Sequence, residues 1–380
     1  MGTLDFSDIR SFRDNEVNDT LREMIRDEGF LYILRKIFTE ERIQHLNEEL
    51  NDVNSVYEFQ SKYISFYVNV LIRLSITDFT FDGLDKLDKN SSYLFISNHR
   101  DIVLDSALIN ELLFRNNFTT SEIAIGNNLL IYKWIENLVR LNKSFIVRRD
   151  LSGKEMLQET IKMSAYLRDT IVNRNTSVWI AQKEGRSKDG NDYTDAALLK
   201  MLTLGGSKNF VKDFSELRIV PVSISYETEP SIDSKVAATY CKLKGLKYKK
   251  TWEDDLKDMG RGLYNMKGNV HISFGKVIHE ELGVIDAIEN KNDKFEKLAE
   301  VIDEQIHANF KLTKSNYMAF DILNNSIKCL KEKKYLIEEV TKFKVQCKKV
   351  INSLEGEYEV LEKVYYGIYA NPLTNKIILP

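Results

Sequence analysis

The sequence lacks most of what would mark a secreted, membrane-spanning or polyanion-coating protein. Only three cysteines occur in 380 residues, Cys241, Cys329 and Cys347. They form no close pair and no ligand spacing, so neither a disulfide framework nor a metal site is expected, and a reducing compartment fits. The longest apolar run, "YISFYVNVLIRL", contains Asn69 and falls short of the roughly 20 residues that cross a bilayer. The opening stretch "MGTLDFSDIRSFRDNE" is charged and has no apolar centre, so no signal peptide is expected. Lysine and arginine number 54 against 57 acids, a formal net charge of −3. That balance leaves no excess for coating nucleic acid. Gly-x-Ser-x-Gly is absent and no cysteine is placed with a histidine, so a covalent nucleophile is not indicated.

What is present is a globular chain, 43% apolar. Three regions are expected. Residues 1–79 read as helical: "NDTLREMIRDEGFLYILRKIF" puts Leu21, Met24, Ile25, Phe30, Leu31, Leu34 and Ile37 near one face, with Asn18 or Asp19 as a starting cap. In residues 80–282, short runs rich in β-branched and aromatic residues alternate with helical stretches: "SYLFIS", "SFIVR", "SVWIA", "RIVPVSISY" and "NVHISFG". Residues 283–380 return to helix, with a heptad-like stripe from Leu336 to Tyr365 that Gly356 divides and that is expected to pack within the chain. The fold class is therefore α/β: a mostly parallel sheet flanked by helices, with helical N-terminal and C-terminal additions. Ligands of such sheets sit at the carboxyl ends of the strands.

Those ends carry the candidate residues. His99 closes the first run, in "FISNHRDIVLDSALI", with Asp101 and Asp105 just beyond. Imidazole titrates near neutral pH and a carboxylate can fix its tautomer, so His99 suits a general base. Its rivals are less well placed. His45 and His307 sit within helical periodicity, His271 lies inside a strand-like run, and His279 sits in a loop. Arg148 and Arg149 end the second run; guanidinium matches phosphate geometry, although taken alone the pair is better explained by a surface ion-pair cluster with Asp150. The loop "KEGRSKDGND" follows the third run. It offers Lys183 and Arg186 to an anion, with Glu184 and Gly185 shaping the backbone. Pro221, one of four prolines, suggests an edge or an entrance bend, while Val220, Val222 and Ile224 read as a core strand.

In this order the four segments "NHRDIVLD", "NKSFIVRRD", "KEGRSKDG" and "RIVPVSISYE" resemble the blocks of the glycerolipid acyltransferases, which acylate glycerol-3-phosphate or lysophosphatidic acid. The endings "FIVRR" and "SISYE" look more like the glycerol-3-phosphate enzymes. The likeness covers about residues 95–227. It implies that His99 deprotonates the acceptor hydroxyl, which attacks the thioester of an acyl-CoA or acyl carrier protein. It implies that Asp105 holds the imidazole, that Arg148, Arg149 and Arg186 bind the acceptor's phosphate, and that Glu184, Gly185 and Pro221 belong to the acceptor site. No metal or organic cofactor is implied. A lipid product implies peripheral contact with a membrane surface, on the cytoplasmic side. The stretch "FLYILRKIF" around Phe30 to Phe38 is one candidate for that contact, and the lysine-rich segment Lys328 to Lys349 another.

Three positions depart from the family pattern. Five residues separate His99 from Asp105 where four are usual, so either the extra residue is taken up in the turn or Asp101 partners the histidine. Asp101 also suits the cap of a helix starting at Ile102, which favours Asp105 as the partner. Arg186 follows Gly185 directly, and Lys143 stands where glycine is common. Two alternatives stay open beside glycerolipid synthesis: the same fold acting on an amine or a lysophospholipid, and a non-catalytic module with a disabled site.

Overall fold

The computed structural model describes residues 4–149, 151–249 and 251–379. Its centre is a seven-stranded sheet: β1 Ile76–Asp82, β2 Leu94–Ser97, β3 Glu122–Gly126, β4 Ser144–Val147, β5 Val178–Ala181, β6 Ile219–Tyr226 and β7 Gly268–Phe274. The spatial order is β1-β7-β6-β2-β5-β3-β4. The five strands from β6 to β4 run parallel. β7 lies antiparallel to β6, and β1 runs parallel to β7. The mostly parallel sheet flanked by helices is thus as expected. Two strands escaped the sequence reading. β3, "EIAIG", offers only two β-branched residues between a glutamate, an alanine and a glycine, and the edge strand β1 leaves much of its surface exposed, so neither gives a strong apolar signal.

The sheet is covered on both faces. One core unites Leu94, Ile96, Val178, Ile180 and Ile219 with Leu298, Ile302 and Ile306 of the helix Lys291–Asn309. The other unites Phe95, Trp179, Val220, Val222 and Ile224 with Leu104, Leu108 and Leu112 of the helix Leu104–Arg115. Burying β-branched and aromatic groups on both faces is what makes these strands read as short continuous apolar runs. The expected regional boundaries cut through this unit: position 79 falls inside β1, and the helix after 283 completes the first core.

The N-terminal helical stretch is broken in two, Asp14–Met24 and Glu28–Ile37, with Ile25–Asp27 between. Asn18 and Asp19 lie inside the first helix and do not cap it. Glu16 instead accepts the backbone N–H of Arg13 at 2.9 Å. At the other end, Gly356 does separate two helices, Ile337–Ile351 and Tyr358–Ile378. The middle of their stripe packs inward, with Phe343, Cys347, Leu361 and Tyr365 in one cluster beside Val236 and Tyr240, while Leu336 and Tyr358 stay exposed.

Pro221 is not at an edge. β6 lies between β7 and β2, and Pro221 pairs in register with Ile96 inside the sheet. The position tolerates proline because the β6–β7 ladder ends at Val222 and Phe274, one residue away. The core reading of Val220, Val222 and Ile224 holds, all three being fully buried.

Candidate active site

His99 lies two residues past the end of β2, and its ring rests edge-on against Trp179 of β5, centroids 5.5 Å apart. The indole Nε1 of Trp179 is itself held by Ser97 Oγ at 2.9 Å. His99 Nδ1 is 2.8 Å from Asp105 Oδ2. The same carboxylate oxygen accepts the backbone N–H of Arg100 at 2.6 Å and of Asp101 at 2.9 Å, and Oδ1 accepts the Tyr226 hydroxyl at 2.8 Å. Burial alone would raise the pKa of Asp105. The hydrogen bond and charge of His99, the N–H of Asp101 and the Tyr226 hydroxyl outweigh it and hold the carboxyl below its usual range. An ionised Asp105 accepts Nδ1–H, which leaves Nε2 as the basic nitrogen of a neutral ring.

The residue extra to the family spacing is taken up before the helix. The helix starts at Leu104, and Asp101 caps it by accepting the N–H groups of Val103 at 2.9 Å and Leu104 at 2.8 Å. Asp105 thereby keeps its place in the first turn, facing the histidine. Burial and the nearby Asp105 charge push the pKa of Asp101 up.

The other histidines are otherwise engaged. His271 uses both ring nitrogens, on Thr80 Oγ1 at 2.8 Å and Asp82 at 3.3 Å. His307 holds the carbonyl of Asp192 at 2.7 Å, and His45 sits exposed near Glu48.

The loop after β5 is tied to the histidine turn: Ser187 N–H donates to the His99 carbonyl at 2.7 Å. Gly185 has φ +74°, a region that favours glycine, with open space around it. Arg186 is nearly buried and bonds Asp258 Oδ2 at 2.6 Å, on the helix Trp252–Tyr264. Its Nη1 is buried with no hydrogen-bond partner among the described residues. Asp258 also accepts the Ser234 hydroxyl at 2.8 Å. The two neighbouring arginines diverge. Arg148 pairs with Asp8 at 2.8 Å, an aspartate shared with Lys162, whereas Arg149 turns to Glu184 at 3.4 Å. Asp150, the ion-pair partner expected from sequence, lies outside the described residues. The strand-end arginines therefore do not gather on one point. Arg149 and Glu184 stay with the loop, and Arg148 leaves it.

Lys143 has φ +58°, which explains why glycine is common there. Its Nζ reaches the Thr120 carbonyl at 3.1 Å, and burial lowers its pKa to about 8.

Beneath the histidine turn lies a charged network that the sequence reading missed. Arg100 is fully buried and bonds Asp192 at 2.5 Å and Glu229 at 2.9 Å. Lys235 bonds Glu229 at 2.5 Å and the Arg100 carbonyl at 2.7 Å. Asn98 clasps β6 through the carbonyl and N–H of Ile224. The signal was a charge inside "NHRD", but its partners lie 92 and 129 positions away, and no local pattern reaches them.

Residues 78–225 match the family model described as Acyltransferase. The matched segment, similar to acyltransferase domains, takes in the histidine turn, the loop after β5 and most of β6. The chain is 27% identical over 240 residues to a glycerol-3-phosphate acyltransferase of Pseudomonas paraeruginosa, an alignment covering 62% of this chain and 27% of that one. It is 26% identical over 266 residues to the enzyme of the same name from Ectopseudomonas mendocina, covering 69% and 28%. The chain thus spans little more than a quarter of these relatives' length. Among solved structures, the 1-acyl-sn-glycerophosphate (LPA) acyltransferase PlsC of Thermotoga maritima aligns at 13% identity and a TM-score of 0.35, over 76% of this chain and 95% of that one.

Proposed function

We propose that the protein is an O-acyltransferase that moves a fatty acyl group from a thioester donor, acyl-CoA or acyl carrier protein, to a hydroxyl of glycerol-3-phosphate or its 1-acyl derivative, lysophosphatidate. The observation that carries this reading is the pairing of His99 Nδ1 with Asp105 Oδ2 at 2.8 Å, at the carboxyl end of β2. Nε2 takes the proton of the acceptor hydroxyl as the oxygen attacks the thioester carbonyl. The collapse of the tetrahedral species then expels the thiolate, to which the imidazolium can return the proton. Asp105 stabilises the imidazolium throughout. General-base action supplies about 10²- to 10⁴-fold, and positioning supplies the rest. Arg149 and Arg186 are the phosphate ligands of this scheme, with Glu184 and Gly185 shaping the loop between them. Arg148, held by Asp8, contributes only at long range. Nothing in this chemistry calls for a metal or an organic cofactor.

The acceptor product is a lipid, so the protein acts at a membrane surface, peripherally and on its cytoplasmic side. Among the described residues no helix is long and apolar enough to cross a membrane.

The test is product analysis by mass spectrometry. Purified protein is given acyl-CoA or acyl carrier protein thioester with glycerol-3-phosphate, lysophosphatidate, a lysophospholipid or a simple amine. Acyl glycerol-3-phosphate or phosphatidate is expected. Acylation of the amine or the lysophospholipid alone would replace the acceptor, and no acylation of any acceptor would leave a non-catalytic module.

A further inference from the structure

The candidate site is bordered by a lysine-rich surface with exposed apolar groups. Residues 242–252, "KLKGLKYKKTW", contain five lysines and no acid, in a chain with a net charge of −3. The segment leaves the helix Ile232–Leu243 and enters the helix Trp252–Tyr264. Its large apolar groups point outward: Leu243 is 65% exposed, Leu246 57% and Trp252 46%. One turn on, Leu256 is exposed too. Lys242, Lys247 and Lys249 stand exposed among them. The acids that follow, Glu253, Asp254 and Asp255, occupy the first helical turn, where Asp254 closes a capping box with Thr251.

This surface is joined to the site at two points. Asp258 of the same helix bonds Arg186. Gly262 packs so tightly on Asp101 that a Cβ there would overlap Asp101 Oδ2. Between them, Tyr248 feels the charges of Asp258 and Arg186.

Exposed leucines and a tryptophan cost free energy in water, and here they serve no core. Lysines beside them keep their ammonium groups in a headgroup layer while their stems cover apolar surface. Tryptophan prefers that same layer. We propose that residues 242–249 and 251–256 form the docking surface for an anionic lipid bilayer, with Leu243, Leu246, Trp252 and Leu256 inserted at the headgroup boundary and Lys242, Lys247 and Lys249 on anionic headgroups, Lys244 being held by Glu357 at 2.6 Å. This rests on the proposed lipid-synthesising function, and it moves the membrane contact away from Phe30–Phe38. In that helix Phe30 packs on Trp134 and Leu34 is buried. Arg35 there is neutralised by Glu28 and Glu40, while the side chains of Lys36 and Ile37 lie outside the described residues.

The experiment is flotation of the whole protein with phosphatidylcholine vesicles, with and without phosphatidylglycerol. The wild type is expected to float with the anionic vesicles only, and less so at high salt. Lys242→Gln, Lys247→Gln and Lys249→Gln together should weaken binding about 100-fold, since each lysine near an anionic surface is worth roughly a factor of five. Leu246→Ser with Trp252→Ser should weaken it at both salt concentrations. Unchanged thermal midpoints establish that the variants fold. Binding that survives both variants, or that is lost with Tyr32→Ser and Ile33→Ser instead, overturns the proposal. So does retention on an immobilised acidic carrier protein through these lysines with no vesicle binding, which would make the partner a protein. Turnover of a short-chain acyl-CoA in detergent separates the two readings. Vesicle binding that follows the expected pattern, in a protein that acylates nothing, sinks the enzyme and leaves the docking surface standing.

Discussion

The hydroxyl of Tyr226 donates to Asp105 at 2.8 Å, on the carboxylate oxygen that the imidazole of His99 does not use. A carboxylate held from both sides cannot swing away when the histidine gains a proton. Asp105→Asn should therefore cut turnover by about 10² or more, because the amide cannot stabilise the imidazolium. Tyr226→Phe should cost less, about tenfold, since it removes one hydrogen bond of roughly 1.5 kcal/mol to a charged group. His99→Ala should match Asp105→Asn, and the double variant should be no worse than either single one. Steady-state kinetics on the folded variants checks this. Losses that multiply in the double variant would mean the two residues act separately.

Arg186 raises a different question, because its partner in the structure is Asp258 and not a substrate. If the acceptor's phosphate takes the place of that carboxylate, Asp258→Asn should lower the acceptor's KM severalfold, while Arg186→Ala raises it about tenfold. The acyl donor's KM should stay fixed in both. Equal changes in the two KM values would assign the pair to holding the helix Trp252–Tyr264 in place.

Much of this arrangement was legible in the sequence, and the rest was hidden for identifiable reasons. β2, β4, β5, β6 and β7 announced themselves as short apolar runs because they are buried on both faces. β1 did not, because it is an exposed edge. His99 and Asp105 could be read as candidates because they flank one turn. Asp258 could not, since it meets Arg186 from 72 positions away on a helix that looks merely acidic. The split of the N-terminal stretch at Ile25–Asp27 was equally hidden. Apolar spacing runs through it without a proline or glycine at the break.

The contact between Gly262 and Asp101 makes a stability prediction. Gly262→Ala would place a methyl on Asp101 Oδ2, and a helix interior that normally prefers alanine should here reject it. A loss of about 1–3 kcal/mol is expected from overpacking. Asp101→Asn should be mild by comparison, because asparagine caps as well as aspartate. Chemical denaturation of the two variants checks the order, and an alanine that stabilises would mean the helix can move off the turn.

Asp303 supplies the pH test, on the sheet face opposite the histidine. Its carboxylate accepts the backbone N–H of Thr194 at 2.8 Å and its hydroxyl at 2.6 Å. Burial nevertheless pushes its pKa up to about 7. In the unfolded chain the value is about 3.9. Between those two values the folded state binds the extra proton, so stability falls as pH rises from about 4 to 7. At pH 4 the group is protonated when folded and costs little. At pH 7 and above it carries a buried charge. Asp303→Asn keeps an acceptor for Thr194 and removes the titration, so its thermal midpoint should gain on the wild type steadily across that window. The gap should level off above pH 7. Midpoints of the two proteins that run parallel from pH 4 to 8 would mean that Asp303 stays ionised throughout, held by Thr194 against the cost of its burial.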